Sequence, residues 1–168
     1  MLKLAGGILI VICGTFSGIY VSLWLKRKVE FWEQYLIFLV QAQTMIGYGA
    51  MSVREILSGV KGVALVEPVL KETQYFLEHG MRLEQAWRKA VERQMKALRF
   101  SQSDREVLYT FGELFGVTDV KGELAKIQIH SELVRERARV LKEEFASKSR
   151  IYRIVGMFCG VLTAVMIC

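Results

Sequence analysis

The sequence predicts an all-α protein: an antiparallel helical bundle flanked by an N-terminal and a C-terminal transmembrane helix. Three observations predict it. Two uncharged apolar runs occupy the chain ends, LAGGILIVICGTFSGIYVSLWL from Leu4 to Leu25 and IVGMFCGVLTAVMIC from Ile154 to Cys168. Between them, apolar residues recur at steps of three and four, the period of a helix with one buried face. A single proline, Pro68, occurs in 168 residues, and no alternation of strand type is sustained. The chain then divides into an N-terminal membrane helix at 1–25, a helical bundle at 26–150 and a C-terminal membrane helix at 151–168.

The first run has the length a helix needs to cross a bilayer, roughly 20 apolar residues. A cleaved signal would have a shorter apolar stretch and a small-residue cleavage site. Lys26, Arg27 and Lys28 follow instead, so the run reads as a retained anchor. The second run is shorter. It reaches near-spanning length if it begins at Ile151 and Arg153 extends to the headgroups; the alternative is a buried C-terminal core helix.

Each run holds a Gly-x-x-x-Gly pattern, Gly14 with Gly18 and Gly156 with Gly160. Such spacing lets helix backbones approach closely, so these four are the candidate helix-packing positions in the membrane. A contact within the chain, between copies in a homo-oligomer, or with another membrane protein fits the pattern equally. Basic residues cluster on the inner side of both runs, at Lys26 to Lys28 and at Lys148, Arg150 and Arg153. Basic residues beside a span stay in the cytoplasm. The central segment is therefore expected in the cytoplasm and both termini on the far side of the membrane.

The central elements follow in order. The first helix continues past its apolar run, because Phe31, Tyr35, Phe38, Ala42 and Met45, with Trp32, Leu36, Leu39 and Ile46 beside them, make one wide apolar face. GYG at 47–49 ends it. Ser52 and Glu55 have capping-box spacing before Ile56, Leu57 and Val60, and Gly59 and Gly62 keep that helix short. Pro68 suits the first turn of the next, which Gly80 stops. Leu83, Ala86, Trp87, Ala90, Val91 and Leu98 mark a fourth. Ser103 and Glu106 suggest a second capping box, opening a helix along Val107, Leu108, Phe111, Leu114 and Phe115 that Gly116 closes. Thr118 or Asp119 can cap the last helix. Leu124, Ile127, Ser131, Val134, Ala138, Leu141 and Phe145 form its heptad seam, which leads into the second apolar run.

Reactive chemistry is not legible. There is no phosphate-binding G-x-x-x-x-G-K-[ST] loop, no G-x-G-x-x-G, no H-E-x-x-H and no G-x-S-x-G. His79 and His130 lie far apart and are expected in solvent or near helix ends. Cys13, Cys159 and Cys168 all sit in the apolar runs, without metal-ligand spacing, and read as small apolar residues. The expectation is a protein that is not an enzyme and carries no cofactor or metal. Lys26 to Arg153 holds a net five positive charges, but bases and acids are interleaved, as in RERARVLKEE. That argues against a nucleic-acid face.

Several stretches taken together have a familiar order: MLKLAGGILIVI and its basic stop, IGYG, AWRKAV, DREVLYTFGELFGVTD from Asp104 to Asp119, the long charged helix, and the last apolar run. The chain resembles the stage III sporulation protein AB family of endospore-forming bacteria over essentially its full length. It departs from the family at Thr44 to Tyr48, which reads TMIGY without the Glu and the proline that the family often carries there.

The resemblance implies a mother-cell membrane protein of a channel complex between mother cell and forespore. The family's soluble domain is similar to the cytoplasmic helical domain of the inner-membrane F protein of type II secretion. That similarity implies a platform or adaptor whose partners are a cytoplasmic ATPase of the same operon and the channel's other membrane proteins. Family-matching positions are Tyr48, Trp87, Asp104, Gly112, Gly116 and Asp119, read as fold-defining first and partner-contacting second. A second class, a membrane-anchored regulator binding a cytoplasmic signalling protein, shares every feature read from the residues alone.

Overall fold

The structure, a computed structural model, describes residues 2–49, 51–98, 100–114 and 120–167, with side chains described at 16, 19–48, 51–94, 96, 98, 100–114, 121–147 and 154. Six helices account for nearly all of it: α1 (Leu2–Gly49), α2 (Val53–Gly59), α3 (Glu67–Glu78), α4 (Leu83–Leu98), α5 (Gln102–Glu113) and α6 (Val120–Ile167). No strand occurs among the described residues. The chain forms two compact units, a terminal unit of Met1–Val29 with Val140–Cys168 and a central unit of Glu30–Arg139. The helices α1 and α6 have 48 residues each.

The central unit is built on aromatic residues. From α1, Phe31, Trp32, Tyr35, Phe38, Leu39, Ala42 and Ile46 are buried on the face that their spacing predicts. The Tyr35 and Phe38 rings lie 5.8 Å apart, and Phe38 stacks on Trp87 of α4 at 6.0 Å. Phe111 of α5 closes the group, 4.5 Å from Trp87 and 5.0 Å from Phe38. Rings at these separations gain from their quadrupoles as well as from the large area that they bury.

The local stops are those that the residues dictate. Ser52 and Glu55 form the expected capping box on α2. Pro68 sits in the first turn of α3. Gly80 adopts φ +79°, and Met81 N–H donates to the Phe76 carbonyl at 3.0 Å, the left-handed cap that ends α3.

Two expectations are corrected. The capping box of α5 is Ser101 with Asp104, not Ser103 with Glu106. The same Ser-x-x-acid spacing occurs two residues earlier, and burial of Phe100 just before it and the tie of Asp104 to Arg137 select the earlier start. His130 is not in solvent. It is 3% exposed and projects from α6 into the core beside Ile127, Ser131 and Val134.

In the terminal unit, Val29 and Leu141 are buried, whereas Phe16, Tyr20 and Leu23 are exposed. Among the described residues no helix is long and apolar enough to cross a membrane. Most of the side chains in the two apolar runs, including the positions of Gly14, Gly18, Gly156 and Gly160, lie outside the described set.

Candidate partner-docking surface

Three of the family-matching positions converge where α5 packs, and what they do there is structural. Trp87 is fully buried, and its indole N–H donates to the Leu108 carbonyl of α5 at 2.6 Å. Gly112 faces the same helix pair. A Cβ added to it would stand 3.1 Å from the Glu84 Cα and 3.2 Å from the Trp87 Cβ, tighter than ordinary contact. Only a residue without a side chain lets α4 and α5 approach this closely.

Asp104 is 1% exposed. One carboxylate oxygen accepts from Arg137 Nε at 2.7 Å, and the other accepts from the Ser101 hydroxyl at 2.6 Å and the Ser101 N–H at 3.1 Å. Burial alone would push this carboxyl up. The bonds from Arg137 and Ser101 outweigh it and hold the group below the usual carboxylate range. Asp104 thus caps α5 and ties it to α6 with one side chain.

A second buried polar tie joins α1 to α6. The Tyr35 hydroxyl and His130 Nε2 lie 3.1 Å apart inside the core. Burial lowers His130 to about 4, so the ring is neutral at pH 7, and burial raises Tyr35 well above its ordinary value. His130 Nδ1 has no partner in the core. A neutral, fully enclosed pair with a phenol is a register pin, not an acid–base site.

Among the described family-matching positions, Tyr48 is the one that reaches the surface. It is 94% exposed at the end of α1. Ile37, Val40 and Thr44 precede it at steps of three and four, all exposed, so they share its outward face. The Thr44 hydroxyl turns back onto the Val40 carbonyl at 2.8 Å, which leaves that face largely apolar. The sequence does not single out this face, since YLIFLVQAQTMIGYG carries apolar residues around most of the helix, with Gln41, Gln43 and Thr44 as its polar exceptions. A groove of about 330 Å³ beside α4 is of a different kind. Lys89, Glu92, Arg93 and Lys96 line it with Phe76, and Arg93 pairs with Glu72 at 2.8 Å. Its mixed charge fits a solvated rim. Gly116 and Asp119 lie outside the described residues. No group of His, Cys, Asp and Glu able to hold a metal occurs among the described residues.

An aromatic-cored bundle of helices, with buried polar side chains that tie helix to helix, places the protein in the all-α class. Residues 3–168 match the profile of the stage III sporulation protein AB family, and the chain belongs to that family. The family gives it a role in sporulation. No curated protein and no solved structure matches the chain.

Proposed function

We propose that the protein is a non-enzymatic membrane platform of the sporulation channel complex between mother cell and forespore. Residues 1–25 and 151–168 are its two spans, the bundle is cytoplasmic, and both termini lie on the far side. The observation that carries this reading is helix continuity. The apolar run Leu4–Leu25 and the core residues Phe31 to Ile46 belong to one helix, and α6 likewise joins the core from Ile127 to Ala138 to the final run.

The partner in this reading is the cytoplasmic ATPase of the same operon, received on the outward face of α1 around Tyr48. The resemblance to the F protein of type II secretion, read from the sequence, is the reason for that choice. The channel's other membrane proteins would meet the spans, where Gly14, Gly18, Gly156 and Gly160 permit close packing. Co-purification of the full-length protein with that ATPase, with ATP turnover measured alongside, tests the proposal. Retention that Tyr48→Ala weakens at least tenfold is expected. Retention of a kinase, phosphatase or transcription factor in its place would favour the regulator class, and nucleotide turnover by the protein alone would contradict the non-enzymatic reading.

A further inference from the structure

The net charge of +6 has an uneven home. The central unit holds fifteen Lys and Arg against fifteen Asp and Glu, and is neutral. The terminal unit holds eight bases against two acids, Glu143 and Glu144, and so carries the whole excess. Orientation of two spans accounts for a few of these bases, but it asks nothing of their side-chain setting.

One of them has a built setting. Phe16, Tyr20, Leu23 and Arg27 follow one another on α1 at steps of four, three and four, so they share one face. Phe16 is 68% and Tyr20 71% exposed, and Leu23 and Arg27 are exposed as well. An apolar stripe that faces outward thus ends in a guanidinium just past the apolar run. Tyr20, Leu23, Trp24 and Arg27 line a pocket of about 260 Å³ there. The Lys28 ammonium lies 4.2 Å from the centre of the Trp24 ring, a second cation held at the same height by the indole face. The Trp24 indole N–H is shielded from water and has no acceptor among the described residues.

We propose that this pocket is a binding site for the headgroup of an anionic phospholipid, with Arg27 as the phosphate ligand. The proposal rests on the membrane reading given above. A planar guanidinium forks two N–H groups onto a phosphate, and Tyr20 and Trp24 are the side chains that favour the headgroup level of a bilayer. The acyl chains of the same lipid would lie along Leu23 and Phe16. A bilayer's anionic surface complements the one unit of the protein that carries net positive charge.

Tryptophan quenching tests this. The full-length protein is placed in mixed vesicles of phosphatidylcholine and phosphatidylglycerol, with one or the other brominated at equal mole fraction. Trp32 and Trp87 are fully buried in the bundle core and supply a constant background, so Trp24 reports. Brominated phosphatidylglycerol should quench more strongly, corresponding to an enrichment of about fivefold for one basic side chain at an anionic surface. Arg27→Gln should abolish the difference, Arg27→Lys should keep part of it, and the bundle-surface control Arg93→Gln should leave it unchanged. Equal quenching by both lipids, or a preference that survives Arg27→Gln, overturns the headgroup site and leaves the membrane reading standing. No quenching by either lipid overturns both.

Discussion

The central unit and the terminal unit solve different problems with the same element, a long helix. In the central unit α1 turns seven large or apolar side chains inward, and the buried polar contacts include ties between helices, Tyr35 to His130, Asp104 to Arg137 and Trp87 to the Leu108 carbonyl. Acids and bases balance there. In the terminal unit the same helix turns Phe16, Tyr20 and Leu23 outward and collects the positive charge. One stretch of helix is built to be covered by protein, and the other is built to be covered by something else. Helix periodicity alone does not separate the two cases. Where the polar and charged residues fall does.

The largest expected effect breaks the central unit. Trp87→Ala removes the ring that Phe38 and Phe111 pack on and should cost about 3–5 kcal/mol of stability, measured by denaturant unfolding of the full-length protein in mild detergent. An equal loss of Trp emission change and helicity would show the unit unfolding as one.

His130 gives the next effect, and it appears as a pH dependence. Its folded pKa of about 4 lies below the ordinary 6.5, so the unfolded chain binds the extra proton first as pH falls. The neutral pair is therefore fully stabilising above pH 6.5. Stability should fall by about 3 kcal/mol between pH 6.5 and 4. His130→Gln keeps a polar partner for Tyr35 and should flatten that slope; an unchanged slope would assign it to other groups.

Asp104→Asn should cost about 2–3 kcal/mol, because Arg137 then loses its charged partner and the cap of α5 weakens. Its sign with pH is also fixed. A carboxylate held below its ordinary range stabilises fully above about pH 4 and loses that contribution as pH falls through its folded value. Asp104→Asn should thus narrow the stability gap to the wild type below pH 4. Gly112→Ala forces a methyl against the Glu84 backbone and should cost about 1–3 kcal/mol. Tyr48→Ala should change stability by no more than about 0.5 kcal/mol, and its effect belongs to partner binding.

The bundle was largely legible because its signals are local. Apolar spacing places the buried face of α1, Pro68 and Gly80 bracket α3, and the fold-defining reading of Trp87 matches its place in the core. The misses share a cause. Ser101 with Asp104 and Ser103 with Glu106 have the same local spacing, and only a residue 33 positions away, Arg137, decides between them. His130 looked like a solvated residue on a charged helix because its partner Tyr35 is 95 positions distant. The outward face from Ile37 to Tyr48 was hidden by the opposite difficulty. A helix that is apolar all round does not say which side is covered.

The central claim is that both ends of the chain hold a cytoplasmic bundle at a membrane. The most direct test introduces one thiol through Tyr48→Cys in a Cys13→Ala, Cys159→Ala, Cys168→Ser background and follows it in membranes from sporulating cells. The account predicts that the protein stays in the pellet through alkaline extraction, and that an impermeant maleimide reaches the thiol only after the membrane is opened. Release by alkali, or labelling from outside intact protoplasts, would contradict it.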